Sequence, residues 1–192
     1  RGLRTLLVQD EVDPDRVAIV GHGEGGWKAL QLAGEGRKLK AVALLACPGR
    51  PYEEILKAQA AAAIEQVPPE LRADASKTQD RTLQALRTGQ NIPPELARTG
   101  LWIREALAVD PAELIARAEA TLWIAQGMQD FEIDAAKDPQ ALGKLARKYN
   151  KKHTLQSYPN LDHLFKVETG ESNPARYMIP GRHVDPKFLG DL

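Results

Sequence analysis

The stretch "VAIVGHGEGGWKAL", residues 17–30, decides the fold, and it reads in two incompatible ways. Gly21, Gly23 and Gly26 spell G-x-G-x-x-G between an apolar run and a helical pattern, which is the fingerprint of a dinucleotide site. The same residues are one substitution away from G-x-S-x-G, the strand–turn–helix elbow that presents a serine nucleophile. On that reading Gly23 stands where the serine should be.

The glycines alone do not decide between the two. A dinucleotide site also needs an acidic residue about 20 positions on, at the end of the second strand, to hold the ribose hydroxyls. Here that strand ends in "LLACPG" (44–49), and no Asp or Glu occurs between Gly36 and Arg50. The nucleotide reading fails this test. The elbow reading makes other demands, further along the chain, and these can be checked separately.

Strand and helix patterns supply the frame. Four short apolar runs read as buried strands: "RVAIV" (16–20), "LKAVALLA" (39–46), "ATLWIAQ" (120–126) and "KHTLQSY" (152–158). Runs apolar on both faces suit a parallel sheet covered by helices. Helical patterns follow the first strand ("GGWKALQLAGE") and precede the fourth ("DPQALGKLARKYN"), as βαβ units require. Residues 51–118 break this rhythm with continuous helical spacing, including "PYEEILKAQAAAAIEQ" and "PPELARTGLWIREAL". The Pro-Pro-Glu groups at 68–70 and 93–95 look like helix starts, with proline in the first turn and an acid near the positive dipole end. Two readings of this insertion are open. It packs on the sheet as an elaboration, or it is a lid or cap over a pocket at the carboxyl ends of the strands; the lid is the expectation here. The core is then 1–50 and 119–192.

An elbow needs an acid after a later strand and a histidine after the last one, in the order nucleophile, acid, histidine. Asp130 follows "TLWIAQ" by four residues, in "GMQDFEI", and His163 follows "TLQSY", in "PNLDHLF". A loop aspartate or a loop histidine taken alone is usually a turn residue or an exposed side chain. The pair in this order, each just past a strand, is a specific signal.

These residues carry a resemblance. "GHGEGG" (21–26), "QGMQD" (126–130) and "LDHLF" (161–165) are similar to the elbow, acid loop and histidine loop of bacterial α/β-hydrolases of the esterase and thioesterase kind. The tail "RHVDPKFLGDL" (182–192) resembles the segment leading into that family's last helix. The resemblance implies an α/β-hydrolase fold, a mostly parallel sheet flanked by helices with a helical lid, and small-molecule ester or thioester substrates. It implies Gly23 at the nucleophile position, Asp130 and His163 as the remaining triad members, and the Glu24 backbone N–H in the oxyanion hole. His22 is read as pocket-lining, and His153 and His183 carry no motif.

Two departures from the family pattern matter. The nucleophile is missing, and none of Ser76, Ser157 and Ser172 lies in an elbow. The N-terminal strands that precede the elbow in the family are also missing ahead of Arg16, and with them a second oxyanion amide. Strand 16–20 is therefore expected to have an open edge, which a second chain could cover.

Composition bounds the rest. The chain has 192 residues, 43% apolar and 27% charged, with zero formal net charge, so nothing points to nucleic acid or an anionic membrane. No apolar run approaches the roughly 20 residues needed to span a bilayer, and no signal-peptide pattern opens the sequence; the compartment stays open. Cys47, the lone cysteine, ends a buried-strand pattern and reads as a small core hydrophobe. No cluster of His, Cys, Asp and Glu has metal-ligand spacing, and neither metal nor cofactor is expected.

Without the serine hydroxyl no acyl-enzyme can form. Glycine suits the strained turn of an elbow, so an engineered inactivation and a natural pseudoenzyme would both tolerate it. Three functions follow: a serine-hydrolase-type domain with its nucleophile replaced, a non-catalytic binding protein using the same pocket, or a hydrolase fragment completed by another chain. The elbow reading also sets geometry. It requires a positive φ at Gly23 and an Asp130–His163 hydrogen bond.

Overall fold

The computed structural model describes residues 2–36 and 39–192. It divides into two compact units, Arg1–Arg50 with Pro111–Leu192, and Pro51–Asp110.

The first unit is built on a four-stranded parallel sheet in the order β1-β2-β3-β4: Ala18–His22, Ala41–Leu45, Thr121–Gly127 and His153–Tyr158. The central strands explain why the chain folds this way. Val42, Leu44, Leu122 and Ile124, in register on one face of the sheet, have essentially no exposed surface, since helices cover that face. The outer strands are wetter. Val20 in β1 is 53% exposed, because among the described residues β1 pairs only with β2.

Helix α1 (Gly2–Leu6) and a 3₁₀ turn capped by the Asp13 carboxylate lead into β1. Helix α2 (Gly25–Ala33) buries Gly26, Ala29, Leu30 and Ala33, the i, i+3, i+4, i+7 stripe of a helix with one apolar face. Its Trp27 also anchors the indole N–H on the Pro48 carbonyl at 2.9 Å. Helix α7 (Lys137–Lys148) lays Leu142, Gly143 and Ala146 on the sheet between β3 and β4. Past β4 the chain forms the histidine loop and the short helices α8 (Pro174–Tyr177) and α9 (Pro186–Asp191). There Phe188 stacks on Phe165 with ring centroids 4.0 Å apart, and Tyr158 closes the cluster edge-on.

The second unit is helical: α3 (Tyr52–Glu65), α4 (Arg72–Thr88) and α5 (Gly100–Leu107). Gly89, at φ 71°, ends α4 in the left-handed conformation that glycine accepts most easily. Tyr52 meets Trp102 edge-on at 5.9 Å, and Glu53 bridges Lys57 and Arg87.

Two sequence expectations shift here. The helical unit ends at Asp110, not at residue 118, because helix α6 (Pro111–Arg117) belongs to the sheet-bearing unit. Its Leu114 and Arg117 lie beside Leu30 of α2 and Gly34, the residue that caps that helix, and the Glu119 N–H bonds the Ala33 carbonyl. The first Pro-Pro-Glu group opens a 3₁₀ turn (Pro69–Leu71) that runs straight into α4, whereas the second opens a 3₁₀ turn (Pro94–Leu96) that does not continue into a helix. After the second turn α5 waits until Gly100, where the backbone packs so close to Ile92 that a Cβ would sit 3.2 Å from its side chain.

Candidate active site

The elbow forms between β1 and α2. Gly23 adopts φ 56°, donates its N–H to the Leu45 carbonyl at 2.8 Å, and accepts from the Gly26 N–H as the helix begins. The turn is tight on its flanks: a Cβ on Gly21 would strike the Gly25 carbonyl, and one on Gly26 would strike the Cys47 thiol. Gly25, by contrast, has open space around it. Glu24 takes the N-cap position of α2.

The acid loop follows β3. The Asp130 side chain is fully buried and accepts four hydrogen bonds. Its Oδ1 takes the backbone N–H groups of Glu132 (2.8 Å) and Ile133 (3.0 Å). Its Oδ2 takes Gln126 Nε2 (2.9 Å) and His163 Nδ1 (2.8 Å). A carboxylate can only accept, so the imidazole carries its Nδ1 proton toward Asp130. That leaves Nε2 on the side of the elbow. A Cβ built on Gly23 lies 3.6 Å from His163 Nε2, an ordinary contact distance with nothing nearer.

Three further groups shape this corner, and sequence reasoning found only one of them. His22 places Nε2 2.8 Å from the His163 carbonyl, which fixes a proton on His22 Nε2, and its ring lies 4.5 Å from the His163 ring. Gln126 is buried between the acid and the Gly127 carbonyl. Glu132 brings a carboxylate oxygen 3.8 Å from His163 Nε2. Burial pulls the His163 pKa down, but the Asp130 hydrogen bond and the charges of Asp130, Glu132 and Asp162 outweigh it and hold the imidazole above its ordinary range. Burial, then Asp138 and Glu24, push the Cys47 thiol far up, so it stays protonated and inert. His153 bonds the Lys151 carbonyl, away from this corner. Among the described residues no group of three potential ligands could hold a metal ion, and no helix is long and apolar enough to cross a membrane.

A parallel sheet with an elbow after one strand, an acid after a later one and a histidine after the last is the α/β-hydrolase fold. Comparisons with known proteins agree. The chain is 24% identical over 191 residues to Esterase EstD of Thermotoga maritima, covering 97% of this chain and 44% of that protein. Among solved structures it superposes on the acetyl xylan esterase from Paenibacillus sp. R4 with a TM-score of 0.52 at 20% identity, covering 92% of this chain and 47% of that one. A dienelactone hydrolase-like promiscuous phosphotriesterase, P91, from metagenomic libraries gives a TM-score of 0.50 at 17% identity, covering 98% and 53%. The chain thus spans about half the length of the relatives it matches. No family model matches it.

Proposed function

We propose that this chain carries a serine-hydrolase-type site for carboxylic esters or thioesters, with Gly23 in the nucleophile position, and that as it stands it is inactive or nearly so. One observation carries the reading: a side chain at Gly23 would start 3.6 Å from His163 Nε2, while Asp130 holds Nδ1 at 2.8 Å. A serine hydroxyl at the end of that Cβ would lie within reach of a base whose tautomer is already set.

The roles follow. His163 takes the proton of the attacking hydroxyl and returns it to the leaving group, and Asp130 orients the ring and stabilises the imidazolium. The Glu24 N–H, at the helix start, supplies one donor to the oxyanion, a contribution worth roughly 3–4 kcal/mol per donor. His22 lines the site and braces the histidine loop. With glycine at position 23 the pair can still act on water, and triads that lose a member retain about 10³–10⁴-fold over the uncatalysed rate. The lid role of the helical unit belongs to the same proposal. The test is hydrolysis of a panel of aryl esters and thioesters by this chain and by Gly23→Ser. Activity in the variant above the parent supports the reading; equal rates in both sink it.

A second reading, that another polypeptide segment continues the sheet, is favoured by the exposed β1 edge, with Val20 53% exposed in mid-strand. A bare edge in a monomer, measured by light scattering and hydrogen exchange of β1 amides, would dispose of it.

A further inference from the structure

Asp162, immediately before His163, is completely buried, and its carboxylate is used up on structure. Oδ1 accepts the N–H groups of Leu164 (2.9 Å) and Lys166 (3.0 Å), so it ties both sides of the turn that holds the histidine. Oδ2 accepts Arg182 Nη2 at 2.7 Å, from a segment twenty residues further on. The same guanidinium donates to the Val167 carbonyl (2.9 Å) and the Arg176 carbonyl (2.8 Å). It also pairs with Glu168 at 3.3 Å. Glu168 in turn is gripped by Arg176, whose hydrogen bond holds its carboxyl well down, at about 2.

The turn needs this grip. Phe165, two residues past His163, sits at φ 56°, a left-handed conformation that side chains with a Cβ resist. A strained loop relaxes unless its surroundings over-determine it. Arg182 holds the loop on both flanks, at Asp162 before the histidine and at Val167 after it.

We infer that Arg182 is a positioning residue for the active site: acting through the buried Asp162 carboxylate, it fixes the histidine loop so that His163 Nδ1 stays on Asp130 and Nε2 stays over Gly23. The inference rests on the reading of His163 as the catalytic base. Its test reads geometry in the chain as it exists, so it does not depend on hydrolysis. An Nδ1 proton shared with a buried carboxylate gives a strongly downfield proton resonance. Arg182→Gln should lose or broaden that signal while far-ultraviolet circular dichroism stays that of the parent. Arg182→Lys, which keeps a charge on Asp162 but not the fork, should retain a weakened signal. Arg176→Gln, which strips Glu168 of a partner but leaves Asp162–Arg182 intact, should lower the unfolding midpoint and leave the resonance unchanged.

A folded Arg182→Gln protein with the parent's Nδ1 resonance overturns the inference, and so does loss of the signal in Arg176→Gln to the same extent. If Arg182→Gln does not fold, Asp162→Asn with Arg182→Lys decides: faster exchange of the proton in both supports the role, and an unchanged signal in both overturns it. In a Gly23→Ser background Arg182→Gln should lower kcat by about 10²-fold, the effect of a misplaced catalytic group, with KM little changed. An inactive Gly23→Ser protein would defeat the hydrolase reading while leaving the resonance test intact.

Discussion

The two halves of the candidate site are held in opposite ways. The acid–histidine corner is crowded with anchors: Asp130 accepts four hydrogen bonds, Asp162 three, and Glu168 is gripped by two arginines. The elbow is held by the absence of side chains, with bare glycines letting the backbone pass close to the Gly25 carbonyl and the Cys47 thiol. Buried carboxylates set a position by saturating their oxygens, and each lost partner leaves a buried charge that costs several kcal/mol. Glycines set a position by permitting it, and a substitution is felt only if its Cβ meets something or its φ is wrong. The corner is thus sensitive to deletion and the elbow to addition. At position 23 an added Cβ meets only the His163 ring, at an ordinary contact distance of 3.6 Å.

The strongest response should come from a change at that position. Gly23→Ser restores the hydroxyl opposite a prepared base. Loss of the serine from an intact triad costs about 10⁶-fold in kcat, and each missing oxyanion donor roughly 10²–10³-fold. Ester hydrolysis should therefore rise by about 10³- to 10⁶-fold, the lower figure if one donor is lacking. The Cβ contact of 3.6 Å adds no clash, so the stability cost is that of φ 56°, about 1–3 kcal/mol in a denaturant titration. A variant no faster and no less stable would mean that glycine is the working residue.

Next comes the corner. In the Gly23→Ser background Asp130→Asn should cut kcat by about 10⁴-fold, because an amide in place of Oδ2 favours the wrong imidazole tautomer. Little change would show that the 2.8 Å contact is structural only.

A buried carboxylate elsewhere in the fold asks whether such anchoring is special to the site. Asp138 accepts the Gly49 and Arg50 N–H groups and pairs with the Arg50 guanidinium at 2.8 Å, with its own side chain fully buried. Asp138→Ala strands these partners and should destabilise the protein by about 3–5 kcal/mol in urea unfolding. The His163 Nδ1 resonance should not move. If it does, the corner and this anchor are one network.

How much of this was legible before the structure depended on range. The strands are placed within two residues, since their apolar runs are continuous and end in turn residues. Asp130 and His163 are legible because order along an α/β chain becomes proximity at one end of a parallel sheet. Asp162, Glu132 and Arg182 are not, because a partner twenty residues away, such as Arg182 for Asp162, leaves no local pattern; Gln126 lies inside the acid-loop motif, but nothing local marks its amide as a donor to Asp130. Helical periodicity likewise says that 111–117 is a helix, but not which body it packs on. The helix read over 93–107 likewise starts only at Gly100, whose close approach to Ile92 is a packing fact.

A subtler change concerns the titration of His163. Glu132 lies on the open side of His163, so its charge is partly screened, and it is one of several groups raising the imidazole pKa. Glu132→Gln keeps the size and removes the charge, so the His163 pKa, read from its ring-proton shifts, should fall toward the ordinary value. The sign for stability follows from linkage. A histidine whose folded pKa exceeds its unfolded one contributes stability that is complete below the unfolded value of about 6.5 and is lost as pH rises through the folded value. Parent and variant should therefore differ most on the acid side, where His163 is charged, and converge once pH passes the parent's folded value. In the Gly23→Ser background the same change moves the acid limb of the kcat/KM profile to lower pH, because His163 must be neutral to take the hydroxyl proton. A Glu132→Gln protein whose His163 titrates as in the parent would show that Asp130 and Asp162 alone set the base. The open face of the imidazole would then be electrostatically silent, and only the buried half of the corner would tune it.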